Sequence, residues 1–317
     1  MEVGVFMVEV FMPYVFFVGG IALLYFGADW LVDASSKLAL HLGVKPLIVG
    51  LTIVAFGTSA PELVVSIKSV LAGSGDIAVG NVVGSNICNV ALILGLSALI
   101  CPIHVSKQLF KFDIPVVVLA SVLAWLFLRD NVMEIWEGAV FLVLFVGYIA
   151  YSVINAKSEE KVENHSEKNV SVIRSIEFII VGLGLLICGS HFLVTGAVSI
   201  ASRWGVSEAV IGITVVAVGT SLPELATSAI AAFKKHNDIA IGNIVGSNIF
   251  NILGILGVVG VMGPVADDGI KLREVLEMNV VALILFAPLL TKFVLTRWQG
   301  AALLGIYAAC MFYVVTQ

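Results

Sequence analysis

The sequence predicts an all-α membrane protein: ten transmembrane helices forming two inverted five-helix repeats, with broken helices at the midplane. Three observations lead there. Apolar runs recur from end to end, each about 20 residues long, which is what a helix needs to cross the hydrocarbon core. Only 12% of the 317 residues are charged and mean hydropathy is +1.08, against roughly 25% charged in a soluble domain. The chain also repeats itself: a shift of 162 carries Gly57–Glu62 (GTSAPE) onto Gly219–Glu224 (GTSLPE). The same shift leaves ten of fifteen positions identical from Thr52 to Ser66, and eleven of sixteen from Gly80 to Gly95.

Taken in order, the apolar runs place spans at about 13–38, 46–72, 77–101, 110–128 and 135–155. The second half gives about 173–201, 208–233, 239–262, 277–294 and 298–315. The chain thus divides into a first repeat, residues 1–155, a polar linker, 156–171, and a second repeat, 172–317. An odd number of spans per repeat turns the second upside down relative to the first. That is the plan of secondary transporters, whose sites lie near the midplane between the halves.

The first residues carry Glu2 and Glu9 but no Lys or Arg, so without a basic n-region the first run is expected to stay as a span rather than act as a signal peptide. Orientation follows from Lys and Arg. With the N-terminus outside, twelve of the seventeen, among them Lys37, Lys45, Lys107, Arg174, Lys234 and Arg297, fall on the inner side. A multi-pass cell-membrane protein with both termini extracellular is the expectation. The linker, rich in Lys and Glu, then lies inside and is too short for a folded regulatory domain.

The cysteines Cys88, Cys101, Cys188 and Cys310 all lie in apolar runs without a CxxC pair, which excludes a disulfide framework or zinc site. No nucleophile–base pair or His cluster suggests an enzyme. No cofactor and no nucleic-acid partner is expected; the bilayer is the expected surrounding, with function as a monomer.

The repeated motif places a proline and a carboxylate inside hydrocarbon, where both are costly. Pro61 lacks an N–H and its ring clashes with the carbonyl four residues back, freeing that of Gly57; Pro223 does the same to Gly219. A freed carbonyl at this depth must line a cavity or bind something. Thr58, Glu62 and Ser66 are four apart and share a helix face, with Ser59 bordering it; Thr220, Ser221, Glu224 and Ser228 repeat the pattern. The following span adds Asn81, Ser85 and Asn89, with copies Asn243, Ser247 and Asn251. All are oxygen donors, which favours Ca²⁺, Na⁺ or Mg²⁺ over zinc or copper.

Glu62 and Glu224 are the only acids deep in these four spans, and no Lys or Arg lies deep enough to pair with them. One Ca²⁺ neutralises both; protons would also do so, and several Na⁺ would overcompensate. A kinked structural helix with a protonated Glu explains one copy but not a second with an amide-rich partner span. Asn86 and Asn248 sit one residue off the ligand face, where they serve helix–helix contact as readily as ligation. Asp29 and Asp33 have His191 and Thr195 as repeat mates, so interfacial or paired structural roles are expected for them rather than a place in the ion path.

These residues resemble the sodium/calcium exchanger family within the cation/calcium exchanger superfamily, in its prokaryotic form without a regulatory domain. The likeness rests on GTSxPE in the second and seventh spans and GNxxGSNIxN in the third and eighth. It implies a secondary antiporter that exchanges Na⁺ for Ca²⁺ by alternating access, its first and sixth helices sliding across the other eight. It also implies that Glu62 and Glu224 are carboxylates shared by Ca²⁺ and Na⁺. Thr58, Ser59, Thr220 and Ser221 would be Na⁺ ligands with the carbonyls of Ala55 and Ala217, and Ser85, Asn89, Ser247 and Asn251 would complete the sites. Both Asn89 and Asn251 are amides where K⁺-dependent members use an acid, which implies independence of K⁺. Gly84 stands where cation/proton members carry an acid, which argues against the alternative, a Ca²⁺/H⁺ antiporter. The resemblance implies about three Na⁺ per Ca²⁺, hence one net charge per turnover, and voltage then acts with about 2.3 kcal/mol per 100 mV.

Overall fold

The computed structural model describes residues 2–157, 171–206, 217–266 and 272–315, with the backbone alone for 2–10, 217, 266 and 313–315. Most of the linker, the start of the expected seventh span and residues 267–271 lie outside the described residues.

The described chain is almost wholly helical. Helix α1 runs from Glu2 to Leu42, longer than its apolar stripe requires, and ends at Gly43, whose φ of +64° is the left-handed conformation glycine adopts past a helix end. Pro46 opens α2 (Pro46–Thr58), and α3 (Ala60–Leu71) follows at a 44° bend. Then come α4 (Gly75–Ile100), α5 (Leu109–Phe127) and α6 (Ile135–Ile154). A reciprocal capping box starts α6, in which the Glu134 amide donates to the Glu137 carboxylate at 2.8 Å. The second half holds α7 (Val172–Arg203), a short helical piece at Ala217–Gly219, α8 (Leu222–Phe233), α9 (Asn237–Met262), α10 (Leu272–Ile284) and α11 (Arg297–Val315). Among the described residues, seven helices are long and apolar enough to cross a membrane, or eight with α2 and α3 as one broken span.

Burial sorts the helices. In α9, 89% of the apolar window is buried and in α4 67%, against 28–39% in the other candidate spans. These two helices form the centre. The outer helices turn large apolar side chains outward, such as Val18, Leu119, Val143, Ile154 and Ile173. Such a surface suits lipid and would be a liability in water.

Two short antiparallel strand pairs tie the ends of the bundle. Strands β1 (Ile103–His104) and β4 (Val294–Leu295) pair, as do β2 (Val132–Met133) and β3 (Val265–Ala266). The 162-residue shift exchanges the pairs: Ile103↔Leu295 becomes Val265↔Met133, and both are observed.

Helices α1 and α7 pack closely through small residues. A Cβ added at Gly27 would lie 2.8 Å from the Gly182 carbonyl, and one at Gly182 2.9 Å from that of Gly27. A second close crossing joins α2 to α9, where a Cβ at Gly246 would lie 2.5 Å from the Leu51 carbonyl. That crossing brings the first repeat's motif against the second repeat's central helix.

Asp29 and Asp33 are paired, as expected. Both contact Lys234 just past α8, at 2.6 and 2.8 Å. Partial burial works against the lysine's charge, but the two carboxylates outweigh it and hold the ammonium above its ordinary value. This triad anchors α1 to the end of α8. Its repeat mates, His191, Thr195 and Ala72, cannot form a second one.

Candidate functional site at the two helix breaks

Ser59 interrupts the helix between α2 and α3 with φ −85° and ψ 8°; Ser221 precedes α8 with φ −86° and ψ 6°. In both cases the helix restarts at once, with proline in its first turn. Each serine occupies an N-cap position, where its hydroxyl would ordinarily accept from a first-turn amide. Neither does. Instead the hydroxyls are exchanged between repeats. Ser59 Oγ donates to Glu224 Oε1 at 2.7 Å, and Ser221 Oγ to Glu62 Oε1 at 3.3 Å. Ser221 Oγ also lies 3.3 Å from Ser85 Oγ on α4.

This exchange puts both carboxylates in one dry place. Glu62 is 1% exposed and Glu224 fully buried. Each carboxylate sits in the first turn of a helix, where the partial positive charge of the N-terminus favours an anion. Among the described residues neither has a basic partner, and the second oxygen of each, Oε2, has no hydrogen-bond partner. Bare carboxylate oxygens at this depth cost several kcal/mol unless a cation or proton covers them.

The surrounding polar atoms form two layers. Asn81 Nδ2 donates to the Glu62 carbonyl and to Ser66 Oγ, both at 3.0 Å. Asn243 Nδ2 donates to Ser228 Oγ at 3.0 Å and to the Glu224 carbonyl at 3.4 Å. These amides and serines hold the backbone around each Glu; the shared face of Thr58, Glu62 and Ser66 therefore splits, and Ser66 is committed to support. Thr58 Oγ1 donates to Asn243 Oδ1 at 3.0 Å and lies 3.3 Å from the Ala55 carbonyl.

The inner layer is the set with open atoms. Ser85, Asn89, Ser247 and Asn251 are all buried. Ser247 Oγ, Asn89 Oδ1 and both amide atoms of Asn251 have no partner among the described residues. Asn89 and Asn251 lie in π-helical turns, Cys88–Ile93 and Phe250–Ile255, where a widened turn interrupts the α ladder. Thr220 is half-buried at the second break, close enough to Glu62 to act on its charge. Ala55 is buried; Ala217 contributes its backbone to the short helical piece before that break.

The structure adds one contact that sequence reasoning did not find. Ser190 Oγ on α7 donates to the Gly219 carbonyl at 2.5 Å. That carbonyl is the one Pro223 frees, and a side chain takes one of its two lone pairs. Its repeat mate at position 28 is alanine, so the Gly57 carbonyl has no counterpart of this serine. A lone serine in a glycine-rich apolar run gave no signal of this role.

Among the described residues no three His, Cys, Asp or Glu gather as a metal cluster. The arrangement suits hard cations held by carboxylate, hydroxyl, amide and carbonyl oxygens, and does not suit soft transition metals.

Comparison with known proteins agrees with this chemistry. The family model described as sodium/calcium exchanger protein matches residues 12–154 and 175–316. The sodium/calcium exchanger MaX1 of Methanosarcina acetivorans is 30% identical over 339 aligned positions, covering 93% of this chain and 97% of MaX1. The putative antiporter CaxA of Alkalimonas amylolytica is 42% identical over 244 residues, covering 75% of this chain and 76% of CaxA. The solved structure of the sodium-calcium exchanger NCX_Mj superposes with a TM-score of 0.84 at 35% identity, covering 95% of this chain and 98% of that one.

Proposed function

The chain belongs to the sodium/calcium exchanger protein family, and from that premise we propose that it exchanges Na⁺ for Ca²⁺ electrogenically, independently of K⁺ and by alternating access. The observation that carries this reading is the pair of buried carboxylates, Glu62 and Glu224, each bonded to the other repeat's serine and each with an open oxygen.

The two carboxylates give the site a charge of −2. Ca²⁺ brings it to zero and three Na⁺ bring it to +1. A turnover of three for one therefore moves one charge, worth about 2.3 kcal/mol per 100 mV. An empty site would carry its negative charge uncompensated through hydrocarbon, which penalises crossing without an ion. Exchange rather than leak follows from that penalty.

In this reading Glu62 and Glu224 serve both ions. Thr58, Ser59, Thr220 and Ser221 join the Ala55 and Ala217 carbonyls around Na⁺, and Ser85, Asn89, Ser247 and Asn251 close the set. The hydrogen bond that Ser190 already gives the Gly219 carbonyl supports assigning the ligand carbonyl to Ala217 instead. Ten spans in two inverted repeats, with the linker inside and both termini outside, fit the exchanged strand pairs and serine–carboxylate contacts. Helices α1 and α7 would slide as one unit, with the Asp29–Lys234–Asp33 triad made at one end of the movement.

The test is Ca²⁺ uptake into proteoliposomes loaded with Na⁺ and diluted into K⁺ or choline, with membrane potential clamped separately. Uptake is expected to require internal Na⁺, to be indifferent to K⁺, and to rise with inside-positive potential. Uptake driven by a pH gradient without Na⁺ would replace the reading with a Ca²⁺/H⁺ antiporter, in which Glu62 and Glu224 carry protons.

A narrower prediction concerns Asn251, fully buried with both amide atoms open. Asn251→Asp adds a third titratable group beside two carboxylates, and like charges so close resist ionising together. Its Ca²⁺ transport is expected to depend on pH between about 5 and 8, above the ordinary carboxylate range. A pH profile identical to the parent's would place Asn251 away from the ions.

A further inference from the structure

The two central helices carry an asymmetry that their near-identical sequences hide. Asn89 and Asn251 are repeat mates, as are Asn86 and Asn248. All four are buried. Asn89 Nδ2 donates to Asn248 Oδ1 at 3.0 Å, across the interface between repeats. The mate contact, Asn251 to Asn86, is not made. Both amide atoms of Asn251 and the Oδ1 of Asn86 lack partners among the described residues. Asn86 Nδ2 instead donates to the Val82 carbonyl of its own helix at 2.7 Å.

The consequence follows from the chemistry of an amide. A primary amide offers an acceptor oxygen or a donor nitrogen, related by a half-turn about its last bond. Only the oxygen can ligate a cation; the N–H₂ group repels it. The amide of Asn251 is free to turn either way. The amide of Asn89 is not, because its nitrogen is committed to Asn248 and its open atom is the oxygen. The attraction between an ion and a dipole scales with ionic charge, so a wrongly turned amide harms a divalent ion about twice as much as a monovalent one. Ca²⁺ also needs about 6–8 oxygens, which makes the loss of a fixed one expensive.

We propose that Asn248 is a positioning residue for ion selectivity: its hydrogen bond fixes Asn89 as an oxygen ligand and so favours Ca²⁺ over Na⁺. The proposal rests on the assignment of Asn89 to the ion site. It also separates two side chains that the repeat makes formally equivalent, since Asn86 bonds within its own helix and fixes no ligand.

The test measures apparent KM for Ca²⁺ and half-activating Na⁺ in proteoliposomes for the parent, Asn248→Leu, Asn86→Leu, Asn89→Ala and the Asn89→Ala/Asn248→Leu double variant. Losing one neutral hydrogen bond is expected to raise the Ca²⁺ KM about five- to tenfold in Asn248→Leu while half-activating Na⁺ moves less than about twofold. Asn86→Leu is expected to leave both within about twofold. The double variant should match Asn89→Ala alone. Asn248→Asp keeps an oxygen that accepts from Asn89 and should not raise the Ca²⁺ KM. If Asn248→Leu does not insert, Asn248→Ser, whose hydroxyl is too short to reach, supplies the same reading.

Equal effects at positions 248 and 86, a proportional shift for both ions, or additivity in the double variant would overturn the positioning role. A parental Ca²⁺ KM in Asn89→Ala would instead remove Asn89 from the ion site, and the proposal with it.

Discussion

Glu62→Gln is expected to lower Ca²⁺ transport at least about 100-fold, measured as Na⁺-driven uptake per reconstituted molecule. The substitution keeps the shape and an oxygen able to accept from Ser221, whose hydroxyl lies 3.3 Å from Glu62 Oε1. What it removes is half the fixed charge. The site falls from −2 to −1, and Ca²⁺ then leaves one positive charge uncompensated in a place where Glu62 is 1% exposed. Removing one partner of a buried ionic contact costs about 3–5 kcal/mol, and each 1.4 kcal/mol is about tenfold in binding. The Gln also turns an N–H₂ toward an atom position that is an open acceptor, Oε2, in the parent. Glu224→Gln should behave alike, because Ser59 makes the mirrored contact at 2.7 Å. Both variants should remain folded in detergent, since the exchanged serine contacts survive. Parental Ca²⁺ flux in either would end the assignment of that carboxylate to the site.

The residues of this centre were legible in the sequence because their cost is legible. A carboxylate and a proline in an apolar run need a reason, and finding the pair at Glu62 and Pro61 and again at Glu224 and Pro223 points to one shared place. A structural role for Asp29 and Asp33, interfacial or paired, was readable because their repeat mates are not acids. The partner was not: Lys234 lies 201 positions from Asp33, and only folding joins them. Proline geometry alone selected the Gly57 and Gly219 carbonyls. In the second repeat it could not show that Ser190, from a helix with no motif, donates to the freed carbonyl.

Helix periodicity likewise grouped Ser66 with Thr58 and Glu62. It could not show that Asn81 would take Ser66 as a partner while the next layer keeps open polar atoms. The π-helical turns at Cys88–Ile93 and Phe250–Ile255 were equally hidden, because they depend on packing against neighbours more than on local propensity. The difference between Asn89 and Asn251 is the clearest case: identical local sequence, different partners.

Gly189→Ala is expected to cut transport more than about tenfold and to destabilise the fold by ~1–3 kcal/mol, the usual penalty for overpacking. The Cβ would lie 2.8 Å from the Leu24 amide nitrogen, 2.9 Å from Leu23 Cβ and 3.0 Å from the Gly20 carbonyl. Two of these are backbone atoms of α1, so no side-chain rotation relieves the contact. Helices α1 and α7 must move apart, and Gly20, Gly27, Gly182 and Gly196 show that the close approach runs along their whole crossing. In the proposed cycle that pair slides as one body, so spreading it disturbs the moving element without touching an ion ligand.

Two substitutions separate this from a general intolerance of change. Gly184 lies on the same helix with nothing within 4 Å of an added Cβ, and Gly184→Ala should leave transport unchanged and slightly favour the helix. In Gly57→Ala the three atoms nearest the new Cβ all belong to the Leu183 side chain, its methyl carbons at 2.6 Å, so a rotamer change can absorb part of the clash and a smaller loss is expected. Thermal unfolding in detergent, read beside uptake rates, ranks the three. If Gly189→Ala and Gly184→Ala proved equally active and stable, the α1–α7 contact would be looser than its geometry states. Sliding as one body would then lose its physical basis, because two helices that can separate freely have no reason to move together.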